Sequence, residues 1–307
     1  MKDAVAYSGI GNGCEGACTL CPRACGVERS CTAGFCGGDD KLRIARAALH
    51  FWEEPCFGST ASSAVGAIFF VGCPLHCIYC QNGDISQSVN RGKAVSIERF
   101  REICFDLRAQ GATALDLVTP MHYATQLREA LLPIKESLGI PVICNTGGYD
   151  SLRQIELMSD LTDIYLPDYK YSDPTLAQRY SGAPDYPSVA ESAIGEMIAR
   201  VGKPRFSQDR LVKGVLVRHL VLPGHRHASI AALRRLRELF SPEDILLSLM
   251  SQYTPPAGMA KPLHRRVTTF EYDSVLQEAA RLGFQGYCQQ RSSAKEEYTP
   301  PFDLTGV

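Results

Sequence analysis

The sequence predicts an α/β fold: a partial (β/α)6 TIM-type barrel preceded by an N-terminal cysteine-rich metal-binding module. Three observations carry that expectation. From residue 65 onward, short apolar runs alternate six times with amphipathic segments. Unusual polar residues follow run after run, at Cys73 and beyond, 119–122, 145–148, 168–170 and His225; barrels of this kind carry their chemistry at the C-terminal ends of their strands. Six cysteines, Cys14, Cys18, Cys21, Cys25, Cys31 and Cys36, crowd a stretch with no apolar period, so that stretch needs a metal to hold it.

Taken in order, residues 1–60 read as the metal module and a connector, 61–255 as the barrel, and 256–307 as a C-terminal helix and tail. In the connector a short helix is expected, because Ile44, Ala47, Ala48 and Phe51 recur at helical spacing before residues 58–63 break the pattern. Strands are expected at 65–72, 114–118, 141–145, 163–167, 214–222 and 245–249, each a short apolar run buried on both faces. Between the first two, Ser96 can cap a helix whose Ile97, Phe100, Ile103 and Leu107 share one face, and Gly111 ends it. Leu127, Leu131, Ile134 and Leu138 run up to Gly139, Asp173 and Pro174 open another helix, and 230–240 and 269–282 complete the set. A doubly wound open sheet fits the same alternation. The polar residues at successive strand ends favour the barrel, and six units leave it incomplete.

Composition excludes several partners. Lysine and arginine number 32 against 33 acidic residues, so no overall field draws the chain to nucleic acid or anionic lipid. No apolar run reaches membrane-spanning length and residues 1–16 lack a secretion pattern, so a cytoplasmic protein is expected. Thirteen cysteines are an odd number and fall in a compartment that keeps thiols reduced, which favours metal ligation over disulfides. Cys56, Cys104, Cys144 and Cys288 stand alone and read as small buried hydrophobes.

The first strand runs into Gly-Cys73-Pro-Leu-His-Cys77-Ile-Tyr79-Cys80-Gln-Asn. Three thiols from one loop can hold three corners of a cubane, leaving one iron without a protein ligand; proteins that only carry electrons use four thiolates. This resembles the radical S-adenosylmethionine (SAM) superfamily over about residues 60 to 255, with Cys73, Cys77 and Cys80 matching its triplet and Tyr79 its aromatic. The resemblance implies a 4Fe-4S cluster whose open iron chelates SAM, and reductive cleavage to a 5'-deoxyadenosyl radical that abstracts hydrogen.

Within the superfamily the chain is most similar to pyruvate formate-lyase activating enzymes, in an activase-like branch marked here by Cys18-Thr-Leu-Cys21-Pro-Arg-Ala-Cys25-Gly. In activases a Ser-Gly-Gly-Glu loop binds the SAM amino group; the matching stretch here is Thr119-Pro120-Met121-His122, which lacks the glycines and the carboxylate and leaves Thr119 and His122 as polar contacts. The likeness places Asn145 at the SAM ribose, the alternative being a plain turn after the third strand. It sets Asp168-Tyr169-Lys170 on an Asp-Xaa-Lys motif whose lysine meets the SAM carboxylate. Arg218 and His219 alternate faces, so one of them looks inward. Tyr253 can shape an adenine pocket or simply pack, and His225 with His227 lacks a third metal ligand nearby.

Cys18, Cys21, Cys25 and Cys36 suffice for a second 4Fe-4S cluster or a closed zinc site, with Cys14 and Cys31 as possible substitutes. The implied partners are a reductase, flavodoxin or ferredoxin as electron donor and a peptide or glycyl radical enzyme as substrate. Two other functions fit the sequence: a radical SAM enzyme acting on a small molecule, and a non-catalytic iron-sulfur or zinc protein whose triplet is completed by a fourth cysteine such as Cys56.

Overall fold

The computed structural model describes residues 17–51, 53–57, 64–289 and 300–307; Cys14 and the connector break at 58–63 lie outside the described residues. The strands are β1 (Leu42–His50), β2 (Ala64–Phe70), β3 (Lys93–Val95), β4 (Ala112–Val118), β5 (Val142–Thr146), β6 (Ile164–Pro167), β7 (Arg205–Ser207), β8 (Arg210–Leu220), β9 (Leu246–Met250) and β10 (Gly286–Cys288). The helices are α1 (Gly83–Ser86), α2 (Ile97–Ala109), α3 (Ala124–Leu131), α4 (Lys135–Leu138), α5 (Leu152–Met158), α6 (Pro174–Ser181), α7 (Tyr186–Val201), α8 (Arg226–Leu239) and α9 (Thr269–Arg281). None of them is long and apolar enough to cross a membrane.

The strands form one sheet in the order β10-β9-β8-β6-β5-β4-β2-β1-β3, with β7 paired to β8. The six expected strands are β2, β4, β5, β6, β8 and β9. They lie parallel and in chain order, without the reversal that a doubly wound sheet requires. β1 and β3 add an antiparallel edge.

Side-chain alternation sorts the core. Ile68, Leu117, Cys144, Tyr165, Val217 and Leu249 join the buried faces of α2 to α9 in one cluster. Val65, Ala114, Ile143, Ile164, Leu216 and Leu246 point the other way and meet Cys56 and Phe57 in a second cluster without helices. Helices α2 to α9 therefore cover one face, while Ile85 of α1 packs with Phe69 and Val118 on the other, whose upper part is left for a site. Ser96 caps α2 by accepting from the Arg99 amide, and Asp173 caps α6.

Several expectations change. The helix expected from Ile44 to Phe51 does not form: 42–50 is strand β1, paired to β2 and β3, and a 3-10 turn at Pro55–Phe57 follows it. A bulge between Ile44 and Arg46 buries Ile44 and Ala45 in succession, which turns the alternation of a strand into spacing that imitates a helical period. Tail residues then pair with β1: the Leu304 amide donates to Ala45 O at 3.0 Å and the Ala47 amide to Thr305 O at 2.9 Å. The first and last segments thus belong to the central sheet through β1 and β10. Cys56, Cys104 and Cys144 are buried as expected, but Cys288 is exposed on β10.

Candidate functional site

β2 ends against α1, where the Gly72 amide donates to Ile85 O at 2.8 Å, and the loop at 73–80 turns back over the strand ends. His76 adopts φ +53° within it, and its ring stacks on Phe35 at 4.8 Å. The three thiols each have a donor or hydroxyl beside them. The Leu75 amide reaches Cys73 Sγ at 3.4 Å, Ser86 Oγ reaches Cys80 Sγ at 3.5 Å, and Cys77 Sγ lies 2.9 Å from Ser181 Oγ. Burial, then the charges of Cys77 and Cys80, push the Cys73 thiol up to about 12. Burial likewise raises Cys77, against the pull of Lys170. Mutually opposed thiols amid hydrogen-bond donors suit a cationic metal centre, which would neutralise what the protein leaves unbalanced.

Cys77, Tyr79 and Cys80 open onto a cavity of about 250 Å³. Its wall collects residues from the ends of β4, β5, β6, β8 and β9: Val118, Asn145, Asp168, Lys170, Arg218, Leu220 and Met250. Arg218 sits at the hub, donating from Nε to Asp168 Oδ1 at 3.0 Å, from Nη1 to Glu53 Oε1 at 3.2 Å and from Nη2 to Asn145 Oδ1 at 2.6 Å. Lys170 Nζ donates to Asp168 Oδ2 at 2.5 Å. Burial alone would raise the Asp168 carboxyl, but Lys170 and Arg218 outweigh it and hold the group below the usual range. Tyr79 donates to or accepts from Tyr171 at 2.6 Å, and Tyr171 continues to Ser181 at 3.0 Å, so the aromatic of the loop is tied to the hydroxyl beside Cys77.

The floor carries more carboxylates than cations. Glu54 accepts from Ser248 Oγ at 2.9 Å, and burial, partly opposed by Arg218, pushes it up to about 7. Asp116 accepts from Asn145 Nδ2 at 3.3 Å; burial, then the charge of Glu53, raises it well above the carboxylate range.

Of the residues expected around the cofactor, Tyr79, Asn145, Asp168 and Lys170 share this cavity with Cys77 and Cys80, and Tyr253 lies on its wall. Thr119 and His122 do not. Thr119 takes φ +59° and donates its amide to Asn145 O at 2.8 Å, and His122 Nε2 lies 2.9 Å from Val71 O. Both face a smaller cleft behind Cys73, lined also by Thr146, Tyr149 and Asp150. On β8 it is Arg218 that turns inward, while His219 Nδ1 meets Tyr169 O at 2.6 Å. His225 stands before α8 with Nε2 at 2.7 Å from Tyr180 Oη. Cys56 packs with Val65 at the start of β2, the end remote from the triplet, so it is not placed to serve as a fourth ligand.

Sequence reasoning missed Glu53, Glu54, Asp116 and Arg23. Asp116 had a signal, a lone carboxylate inside an apolar run. Arg23 lay within the cysteine motif. In the structure its Nε donates to Pro74 O at 2.7 Å and its Nη1 to Gly182 O at 2.7 Å, with the guanidinium 4.4 Å from the Phe35 ring centroid. The glutamates offered none, since their burial depends on crossing beneath the sheet from β1.

The N-terminal thiols also gather: Cys18, Cys21, Cys25 and Cys36 are free, Gly34 lies between the Cys25 and Cys36 sulfurs, and the charges of Cys36, Cys18 and Cys25 add to burial in raising the Cys21 thiol. Among the described residues no three His, Cys, Asp or Glu side chains stand close enough to hold a single ion. The outer ligands of a cubane stand further apart than the donors of one tetrahedral ion.

No family model matches the chain. An uncharacterized protein of Methanocaldococcus jannaschii, MJ0674, is 24% identical over 283 residues, covering 86% of this chain and 74% of that one. Among solved structures, Streptococcus suis SuiB bound to its precursor peptide SuiA is similar with TM-score 0.49 and 12% identity, and SuiB bound to S-adenosylmethionine with 0.48 and 13%. Each match covers 71% of this chain, which spans 46% and 48% of those two chains, less than half. A cysteine-to-alanine mutant of spore photoproduct lyase with a dinucleoside spore photoproduct is similar with TM-score 0.48 and 11% identity, over 72% of this chain and 74% of the lyase.

Proposed function

We propose that this chain is a radical SAM enzyme that abstracts hydrogen from its substrate. The observation that carries this reading is that Cys77, Tyr79 and Cys80 line the same cavity as Lys170, Asp168, Asn145 and Arg218. Cys73, Cys77 and Cys80 would hold a 4Fe-4S cluster. Their fit rests on three thiols from one loop, each beside a donor or hydroxyl. When bound, the cluster and SAM supply reductive carbon-sulfur cleavage to methionine and a 5'-deoxyadenosyl radical.

The protein's part is to bind, orient and exclude. The Lys170 ammonium, steadied by Asp168, offers a point charge for the SAM carboxylate. Asn145, fixed by Arg218 and Asp116, offers an amide for the ribose. Tyr79 and Tyr253 meet edge to face at 6.3 Å and give an aromatic wall suited to adenine. We read the sheet as a partial barrel, its consecutive strand order and single helical face supporting that shape. An activase-like enzyme with a peptide or protein substrate is the finer reading, drawn from the Cys18 to Cys25 motif. That Thr119 and His122 turn from the cavity favours a second reading, a small-molecule substrate with a different amino-group site.

Anaerobically reconstituted protein with dithionite and SAM is expected to release 5'-deoxyadenosine, and Cys77→Ala to abolish it. Undiminished release from that variant, or zinc in place of iron at the triplet, would overturn the reading.

A further inference from the structure

We infer that Cys18, Cys21, Cys25 and Cys36 hold a second iron-sulfur cluster wired to the triplet through the hydrogen bond between Cys36 O and the Cys73 amide. The inference rests on the radical SAM reading for what the triplet holds, but its own residues are independent of it. Its consequence is that electrons reach the triplet by way of the N-terminal module.

The module is built around its sulfurs. The Gly38 amide donates to Cys36 Sγ at 3.4 Å, and the Gly34 amide donates to Gly38 O at 2.9 Å, closing the turn around that sulfur. Short turns fold the backbone around the thiols: Ala24 N to Cys21 O at 2.9 Å, Gly26 N to Cys18 O at 3.0 Å and Gly37 N to Gly34 O at 2.8 Å. Gly34 is wedged between two thiols, where a Cβ would lie 3.4 Å from Cys25 Sγ and 3.5 Å from Cys36 Sγ. Amides turned onto thiolates set the potential of iron-sulfur centres.

The junction is equally specific. The Cys73 amide donates to Cys36 O at 2.9 Å, so a cysteine of each group meets the other through one backbone contact. Gly72 holds φ +92°, and a Cβ there would sit 2.3 Å from Cys36 O, so only glycine permits the approach. Arg23 clamps the same two parts from the other side through Pro74 O and Gly182 O. Cys18 and Cys25 are only half-buried, which leaves the module open to an external donor. The transfer balances simply: an external one-electron reductant gives one electron to the N-terminal centre, which is reoxidised as the triplet's centre is reduced by one.

The test uses whole protein reconstituted without oxygen. Wild type is expected to hold about eight irons and Cys21→Ala about four. Dithionite-reduced wild type is expected to give an EPR spectrum broadened by spin-spin interaction, collapsing to a single-cluster signal in Cys21→Ala. With limiting reductant, the triplet's cluster should be reduced at least tenfold more slowly in Cys21→Ala and in Gly72→Ala, circular dichroism checking that both fold. A four-iron wild type, zinc at the N-terminus, or two clusters without magnetic interaction overturns the inference, even if deoxyadenosine forms. Two interacting clusters without deoxyadenosine would leave it standing and sink the radical SAM reading instead.

Discussion

Cys77 and Cys80 open onto a cavity of about 250 Å³ ringed by charged side chains, whereas Cys21 and Cys36 are buried among turns whose amides point back at the sulfurs. Three thiols from one loop form the first group; four from a longer stretch form the second. A centre meant to take a ligand needs a missing donor and room beside it, while one meant for structure or electron transfer needs neither. The contrast extends to the surroundings: the three-thiol group faces Arg218, Lys170, Asp168 and Glu53, linked by direct ion pairs, and the four-thiol group is wrapped by the turns at 21–24 and 34–38.

The sharpest way to break this comparison is Arg218→Met. Loss of the guanidinium would leave Glu53, Asp168 and Asn145 without their shared donor, and stranding buried charge costs about 3–5 kcal/mol. Urea unfolding should show a loss of that size, and a loss under about 1 kcal/mol would mean the hub is no more than a solvated ion pair.

Glu54 gives the next effect. Its folded carboxyl keeps a proton to about 7 against an ordinary 4.5, so the stability it adds is complete below about pH 4.5 and lost as the pH rises through 7. The difference amounts to about 3 kcal/mol. Glu54→Gln should flatten that slope between about pH 5 and 7, and an unchanged slope would place its origin elsewhere.

Smallest is Lys170→Met, which removes one charged hydrogen bond worth about 1.5–3 kcal/mol. KM for SAM should rise roughly ten- to a hundredfold with iron content unchanged. A fall in bound iron instead would make Lys170 part of the cluster's support and blur the line between the two groups' surroundings.

The six parallel strands were legible because each is a short apolar run with chemistry at its end. β1 was not, because a bulge disguised its alternation, and β3, β7 and β10 are three-residue strands defined by pairing rather than pattern. α7, whose buried Ala190, Ala193, Ile194, Met197 and Val201 recur at helical spacing, was legible in the same way and was passed over. At the site, the cysteine loop and the ends of β5 and β6 could be read locally. The direction of Thr119 could not, since it goes with a positive φ and a hydrogen bond from its amide to Asn145 O of β5. Nor could the floor, which joins Glu53 and Glu54 to residues 165 and 194 positions away.

That last span sets a schedule for synthesis. Ser248 emerges from the ribosome 168 residues after Cys80, roughly 8–34 s later at about 5–20 residues per second. Until then a nascent chain has the triplet but lacks the Glu54–Ser248 contact. Metal delivered during translation would reach the triplet before the floor of its cavity is complete.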